Sequence, residues 1–405
     1  MEYGGSLALG PSAPEDENNV IVALNQSHRV TSINLAVTNP LMEKLSDIEG
    51  PFLELEDLIL LCRDTSRLTL PSAFGCGTQR LRTLHLTRIA FFALPHLLYS
   101  SRNIIDLQLH DVFNPWLLLP EALTDALSRM TQLRSLSLHF LPTTDHFSVS
   151  LPVSLPSRKR IVLLSLARLD FQGTVKYLEG LLGNIDAPWL GVIEGTFIVD
   201  SITDLSVHNN FVDRTETHRL SLEVHLQSSQ NTITLSFIQA GTTTCIKLQL
   251  FCEQFSDQLS SMSQILTHFP TFLVDAEDLH ISLTRQSIPG DSLDWNPWLE
   301  FVKSFTGIRR FHVAGNLSTD IVRAFQSPGN QPETLVPALQ KLYLHQPGPS
   351  FAHLRETVVS FMVLRRLSGY PIEVEYEQLY QISELRGTGT IIAQLHHHHS
   401  LTGFE

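Results

Sequence analysis

Apolar residues recur along the chain in the spacing L-x-x-L-x-L. The stretch "RLRTLHLTRI" at 80–89 shows it with Leu81, Leu84 and Leu86. The same frame fits Val30/Ile33/Leu35, Leu55/Leu58/Leu60, Ile104/Leu107/Leu109, Leu133/Leu136/Leu138 and Leu166/Leu169/Phe171, and more weakly Leu190/Ile193/Gly195. After a gap it returns at Ala276/Leu279/Ile281, Ile308/Phe311/Val313 and Leu339/Leu342/Leu344. The early central positions, Ile33 to Ile193, are separated by 25, 26, 23, 29, 33 and 24 residues. Leucine-rich repeats have a unit of roughly 20–29 residues, one strand and one helical or irregular arm each. A single copy would be an ordinary alternating strand; the ordered series predicts a stacked repeat.

Between these strands the polar pattern changes to helical spacing. "PEALTDALSRMTQ" (120–132) carries Pro near its first turn and Leu123, Ala126, Leu127 and Met130 on one face. "GTVKYLEGLLGNI" (173–185) repeats that logic with Val175, Leu178, Leu181 and Leu182. Helical arms are also expected over 18–30, 252–269 and 294–305. Over 200–250 the stretches "HRLSLEVHLQ", "NTITLSF" and "TTCIKLQLF" alternate with period two, as half-buried antiparallel strands do. The segment 351–369 predicts a long helix ending at Gly369, and "PIEVEYEQL" a last strand.

The expected fold is therefore α/β: a leucine-rich-repeat solenoid, or horseshoe, with a concave strand sheet, irregular repeats and a C-terminal capping helix. Residues 1–19 read as a flexible or truncated lead-in, 20–346 as the solenoid with 200–250 irregular, 347–384 as the cap, and 385–405 as a disordered tail.

Composition narrows the function classes. A hydrophobic content of 43% across 405 residues supports a real core. The net charge of −13 disfavours nucleic acid, whose phosphates are held by clustered Lys and Arg. No apolar run reaches membrane-spanning length, so no membrane partner is expected. Cys62, Cys76, Cys245 and Cys252 form no C-x-x-C pair and suggest a reducing compartment, cytoplasm or nucleus.

In the repeat frame, positions 1, 4 and 6 point to the core and positions 3, 5 and 7 to the opposite, concave face. That face offers His85, then Asp106, Gln108 and His110, then Ser135, Ser137 and His139, then Arg168 and Asp170. Later repeats add His280, Arg310 and His312, and finally Lys341, Tyr343 and His345. Six outward histidines are its most distinctive feature. They fit a partly exposed strand face that tolerates imidazole, a ladder recognising a polypeptide, or, less well, a metal site. No metal or other cofactor is expected. The phosphate-loop, dinucleotide, H-E-x-x-H and G-x-S-x-G signatures are absent from the sequence, and Glu56/Asp57 and Glu277/Asp278 are adjacent strand residues facing opposite ways. The expectation is a binding protein, not an enzyme.

The segments "PSAPEDENNVIVAL", "LRTLHLTRIAFFALPHLL", "PEALTDALSRMTQLRSLSLHFL", "RLDFQGTVKYLEGLLGNIDAPWL" and "FMVLRRLSGYPIEV" resemble the repeat region of fungal F-box/leucine-rich-repeat proteins. The resemblance implies that the repeats select a protein for ubiquitylation. It implies a Skp-type adaptor as partner only where an F-box lies upstream. "LLPEALTDAL" (118–127) imitates the opening phrase of an F-box, but its leucines are expected to serve a repeat arm. The repeats depart from the family pattern in mostly lacking the turn Asn or Cys, which only Asn316 supplies.

Overall fold

The computed structural model describes residues 5–9, 14–48, 50–62, 68–69, 74, 78–90, 94–112, 118–140, 160–198, 211 and 214–215. It further describes 222–229, 232–239, 245–251, 255–267, 270–283, 301–314, 336–345, 351–379 and 396–400. The aromatic pair Trp295 and Trp298, and Asn316, lie outside these residues. The chain divides into two compact units, Met1–Ile198 with Leu205–His218 and Val199–Asp204 with Arg219–Glu405. The division falls where the sequence changes its period.

In the first unit the main strands are β1 (Gly5–Leu9), β2 (Val30–Val37) and β3 (Asp57–Cys62), with the two-residue β4 (Leu68–Thr69) beyond. There follow β5 (Thr83–Thr87), β6 (Ile89–Ala90), β7 (Asp106–Val112), β8 (Ser135–Phe140) and β9 (Ile161–Val162). The unit closes with β10 (Arg168–Gly173), β11 (Ile185–Asp186) and β12 (Val192–Ile198). The order in the sheet is β1-β2-β3-β5-β7-β8-β10-β12, every pair parallel, while β4/β6 and β9/β11 form small separate ladders. The register sets Ile33, Leu58, Leu84, Leu107, Leu136, Leu169 and Ile193 side by side, all buried. These are the central residues of the sequence repeat.

Parallel neighbours need a crossover, and short helices supply several of them. Pro120–Leu127 starts at a proline and buries Leu123, Ala126 and Leu127. It ends five residues earlier than the spacing predicts, and Met130 is buried in the turn that follows. Val175–Leu182 is capped by Thr174, whose hydroxyl accepts from the Tyr177 amide, and buries Tyr177, Leu178, Leu181 and Leu182. The Tyr177 hydroxyl donates to the Leu118 carbonyl at 2.5 Å, tying one arm to the next.

The lead-in differs from expectation. Gly5–Leu9 pairs parallel with β2, and Pro14–Leu24 is helical with Val20 and Leu24 buried. The edge of β2 offers unpaired backbone groups that even a short alternating segment can satisfy.

The second unit contains β13 (Leu222–Ser228), β14 (Thr232–Gln239), β15 (Cys245–Phe251) and β16 (Ala276–Leu283). It continues with β17 (Arg310–Ala314), β18 (Lys341–His345), β19 (Glu373–Leu379) and β20 (His396–Ser400). Their order is β15-β14-β13-β16-β17-β18-β19-β20. The β13–β14–β15 run is antiparallel, as the period-two pattern predicts, and β13 to β19 then pair in parallel. Val224, Leu279, Phe311, Leu342 and Val374 make the equivalent buried column. Within the expected tail, His396–Ser400 (β20) adds antiparallel to β19, which covers an otherwise open strand edge. Gly307 is required by close approach: a Cβ there would collide with the Val274 carbonyl oxygen.

The predicted C-terminal helix spans Phe351–Leu367. Gly369 takes φ +86° and the Tyr370 amide reaches back to the Arg365 carbonyl at 2.9 Å, closing the helix as its sequence anticipates. Arg365 itself is fully buried, and its guanidinium donates to the carbonyls of Tyr370, Val336 and Leu339. The helix is thereby locked to the β18 approach by one side chain.

Candidate functional site

Strict alternation puts the polar members of each strand on the face opposite the buried column, and the register decides which of them meet. In the first unit His85 lies beside Gln108, Gln108 beside Ser137, and Ser137 beside Asp170. Asp106 stands two residues before Gln108 on the same face, where its Oδ2 accepts from His85 Nε2 at 2.9 Å and from Gln108 at 3.2 Å. Burial acts to raise the Asp106 carboxyl, but the bonds and charge of His85 and the Gln108 amide outweigh it and hold it below the usual range.

A second cluster follows. Ser137, buried, donates to Asp170 Oδ2 at 2.8 Å, and the same oxygen accepts from His139 Nε2 at 2.7 Å. Having given its one proton to Asp170, Ser137 accepts from His110 Nε2 at 2.8 Å. The His110 and His139 rings stack 4.0 Å apart and 6° from parallel. Burial raises the Asp170 carboxyl, yet His139 and Ser137 together lower it further than burial lifts it. Burial, then the neighbouring His139, lowers His110.

The second unit arranges the same residue type otherwise. Register places His225, His280, His312 and Tyr343 in one row across β13, β16, β17 and β18. Their rings stack at 4.2, 3.9 and 4.2 Å, each within 10° of parallel. His312 Nδ1 and His345 Nε2 are 3.2 Å apart, so one ring donates and the other accepts. Burial, then the imidazoles of His312 and His225, pushes His280 down to about 3. Burial and His345 push His312 down to about 4. The row alongside reads Glu223, Asp278, Arg310, Lys341 and Glu373. There the buried Asp278 is gripped by both arms of the Arg310 guanidinium, and Lys341 reaches Glu373 at 3.0 Å.

Among the described residues three groups bring three possible metal donors within 4.8 Å of one another. They are His110/His139/Asp170, Glu223/His225/His280 and Asp278/His280/His312. In the last the carboxylate is already engaged by Arg310.

All fifteen outward residues named in the sequence lie on described strands, and they make separate networks within each unit. His85 with Asp106 and Gln108, and His110 with His139 and Asp170, make two adjoining networks in the first unit. His280, Arg310, His312, Lys341, Tyr343 and His345 belong to the second unit. Arg168 is exposed and stands on β10 two residues before Asp170. Sequence reasoning passed over Ser137 as a hub, His225 and Glu223 within the irregular stretch, and Asp278. The period-two text "LEVHLQ" puts Glu223 and His225 on one face, but nothing in it says that β13 pairs in parallel with β16.

The chain matches no known protein-family model and no curated protein. Among the described residues no helix is long and apolar enough to cross a membrane.

Proposed function

We propose that the chain is a protein-recognition module, a leucine-rich-repeat solenoid serving as the substrate-recognition region of an F-box-type ubiquitin-ligase receptor. The observation that carries the binding role is, within each unit, a face of outward polar rows on successive parallel strands, with imidazoles and carboxylates in both, Arg168 in the first and Lys341 in the second. Such rows offer a polypeptide directional partners at the roughly 4.8 Å spacing of adjacent strands. The repeating L-x-x-L-x-L text and its arms support the solenoid, and the resemblance supports the ubiquitin role. Activity in the cytoplasm or nucleus accords with the cysteine pattern, and in this reading the receptor contributes proximity, not chemistry.

A free-standing scaffold is the second reading, and one observation favours it. The phrase at 118–127 that imitates an F-box is occupied in packing: Leu118, Leu123 and Leu127 are buried and the Leu118 carbonyl holds Tyr177. This segment is therefore not offered to an adaptor.

The test reverses one charge on the outward face of each unit without touching the core. Arg168→Glu and Lys341→Glu, combined in the full chain, are expected to leave the fold intact and remove proteins collected by proximity labelling. An unchanged partner list would sink the recognition reading. Recovery of cullin-ligase components alongside the partners supports the receptor form, and their absence the scaffold.

A further inference from the structure

We propose that His110, His139 and Asp170 bind one divalent transition-metal ion, zinc being the best chemical match. The proposal stands apart from the recognition reading and needs no partner protein.

Convergence is the first support. His110 Nε2, His139 Nε2 and Asp170 Oδ2 come from three successive strands, β7, β8 and β10, and lie within 4.8 Å of one another. Ser137 Oγ is within hydrogen-bond distance of all three, at 2.8, 3.3 and 2.8 Å respectively. The donor atoms thus already aim at one point. A tetrahedral ion with bonds of about 2.0–2.1 Å keeps its donors roughly 3.4 Å apart. Rotation of these partly exposed side chains opens the 2.7 Å His139–Asp170 contact and draws in wider pairs, while the buried Leu107–Leu136–Leu169 column holds the strands.

Backbone geometry gives the second support. The β7–β8 register shifts between Leu109 and Val112, so His110 stands in a bulge. Asp111 has φ +55°, a left-handed conformation uncommon outside glycine, and is held by Arg88 Nε at 3.0 Å. Bulges re-aim side chains, and here the re-aimed imidazole lies face to face with His139.

Donor chemistry and charge give the third. Two imidazoles and one carboxylate are a set that zinc and iron(II) take with positions left open. The fourth position falls to the Ser137 hydroxyl or to water. On binding, each neutral ring moves its one proton from Nε2 to Nδ1 by exchange with solvent, which frees Nε2 to ligate. The groups facing His110 are His139, Asp170, Asp111 and His85, two carboxylates and two imidazoles, whereas Arg310 occupies the carboxylate of the comparable second-unit cluster.

The test uses the full chain and the metal alone. Zinc binding is measured by equilibrium dialysis and cobalt(II) binding by its visible absorption, for wild type, Asp170→Asn and His139→Phe. Asn keeps the hydrogen-bonding shape of Asp170 without its charge, and Phe keeps the ring stack without a donor nitrogen. Melting in EDTA establishes that each variant is folded. The expected result is one equivalent of tight binding lost in each variant, and in the double variant no more than one. Ser137→Ala should weaken binding by roughly 10- to 100-fold, the cost of losing a residue that orients ligands. The His396–His399 run is common to every protein compared and cancels. If folded Asp170→Asn or His139→Phe retains the full wild-type complement, the site does not exist.

Discussion

The two units use histidine at equivalent strand positions and give it opposite company. In the first, His85 and His139 each meet an aspartate, at 2.9 and 2.7 Å, and Ser137 links the second pair to His110. In the second, His225, His280 and His312 meet one another face to face, while the nearest buried carboxylate, Asp278, is committed to Arg310. One arrangement favours the carboxylate charge and the other keeps imidazole uncharged. A histidine's role is set less by its own place in the repeat than by what the next strand puts at the same height.

The strongest way to break this comparison is to remove the frame that sets those heights. Leu107→Asp in the first column and Leu279→Asp in the second each bury an unpaired charge at a fully enclosed site. Each should cost about 3–5 kcal/mol. Peptide-resolved hydrogen exchange should show the loss of protection concentrated in the unit that carries the substitution. A variant that melts like wild type would refute the register.

Next in size is Arg310→Gln. It leaves the buried Asp278 without its cationic partner, and because Arg310 is itself half-exposed the cost should be about 1–3 kcal/mol. It also removes a charge that lowers His312, so His312 should titrate at higher pH. Chemical-denaturation midpoints and the imidazole proton resonances report the two effects. An unchanged midpoint would mean that Asp278 does not depend on Arg310.

Acid should separate the units more gently. Folded His280 and His312 titrate near 3 and 4, below the unfolded value of 6.5. Between about pH 6.5 and pH 4 the unfolded chain therefore binds more protons, and stability is lost as pH falls through this window. His110 contributes with the same sign. Asp106 and Asp170 are lowered from 3.8, so the stability they contribute is lost only below that value. Urea melts across the range should lose stability first in the second unit, and His280→Phe with His312→Phe should flatten the slope. A flat wild-type profile would mean the stacked rings are not desolvated.

The smallest expected change is Asp106→Asn, about 0.5–1 kcal/mol, since Asp106 and His85 are partly exposed and a single hydrogen bond contributes little net. A loss several times larger would show that the His85 network is stiffer than its exposure implies.

The L-x-x-L-x-L frame is a local property, and it made the strands legible one by one. Leu84, Leu107, Leu136 and Leu169 could be aligned on paper because each holds the same place in the L-x-x-L-x-L spacing, and the parallel register places them together. The helix stop at Gly369 and the period-two strands of 222–251 were equally local signals. The outward histidines were legible too, since alternation fixes the face.

Their partners were not. Which strand lies beside which is a long-range outcome, and neither the parallel pairing of β13 with β16 nor the bulge at His110 has a local signature. Register, desolvation and the competition between Arg310 and imidazole for Asp278 decide each group's charge. The same holds for Arg365, which reads as a polar residue on an amphipathic helix and is fully buried on three carbonyls. The sequence determined the strands and which side chains face outward, because both follow from short-range alternation. Only the tertiary structure decided which outward side chains touch, because contact depends on the height and neighbour that packing assigns to each strand.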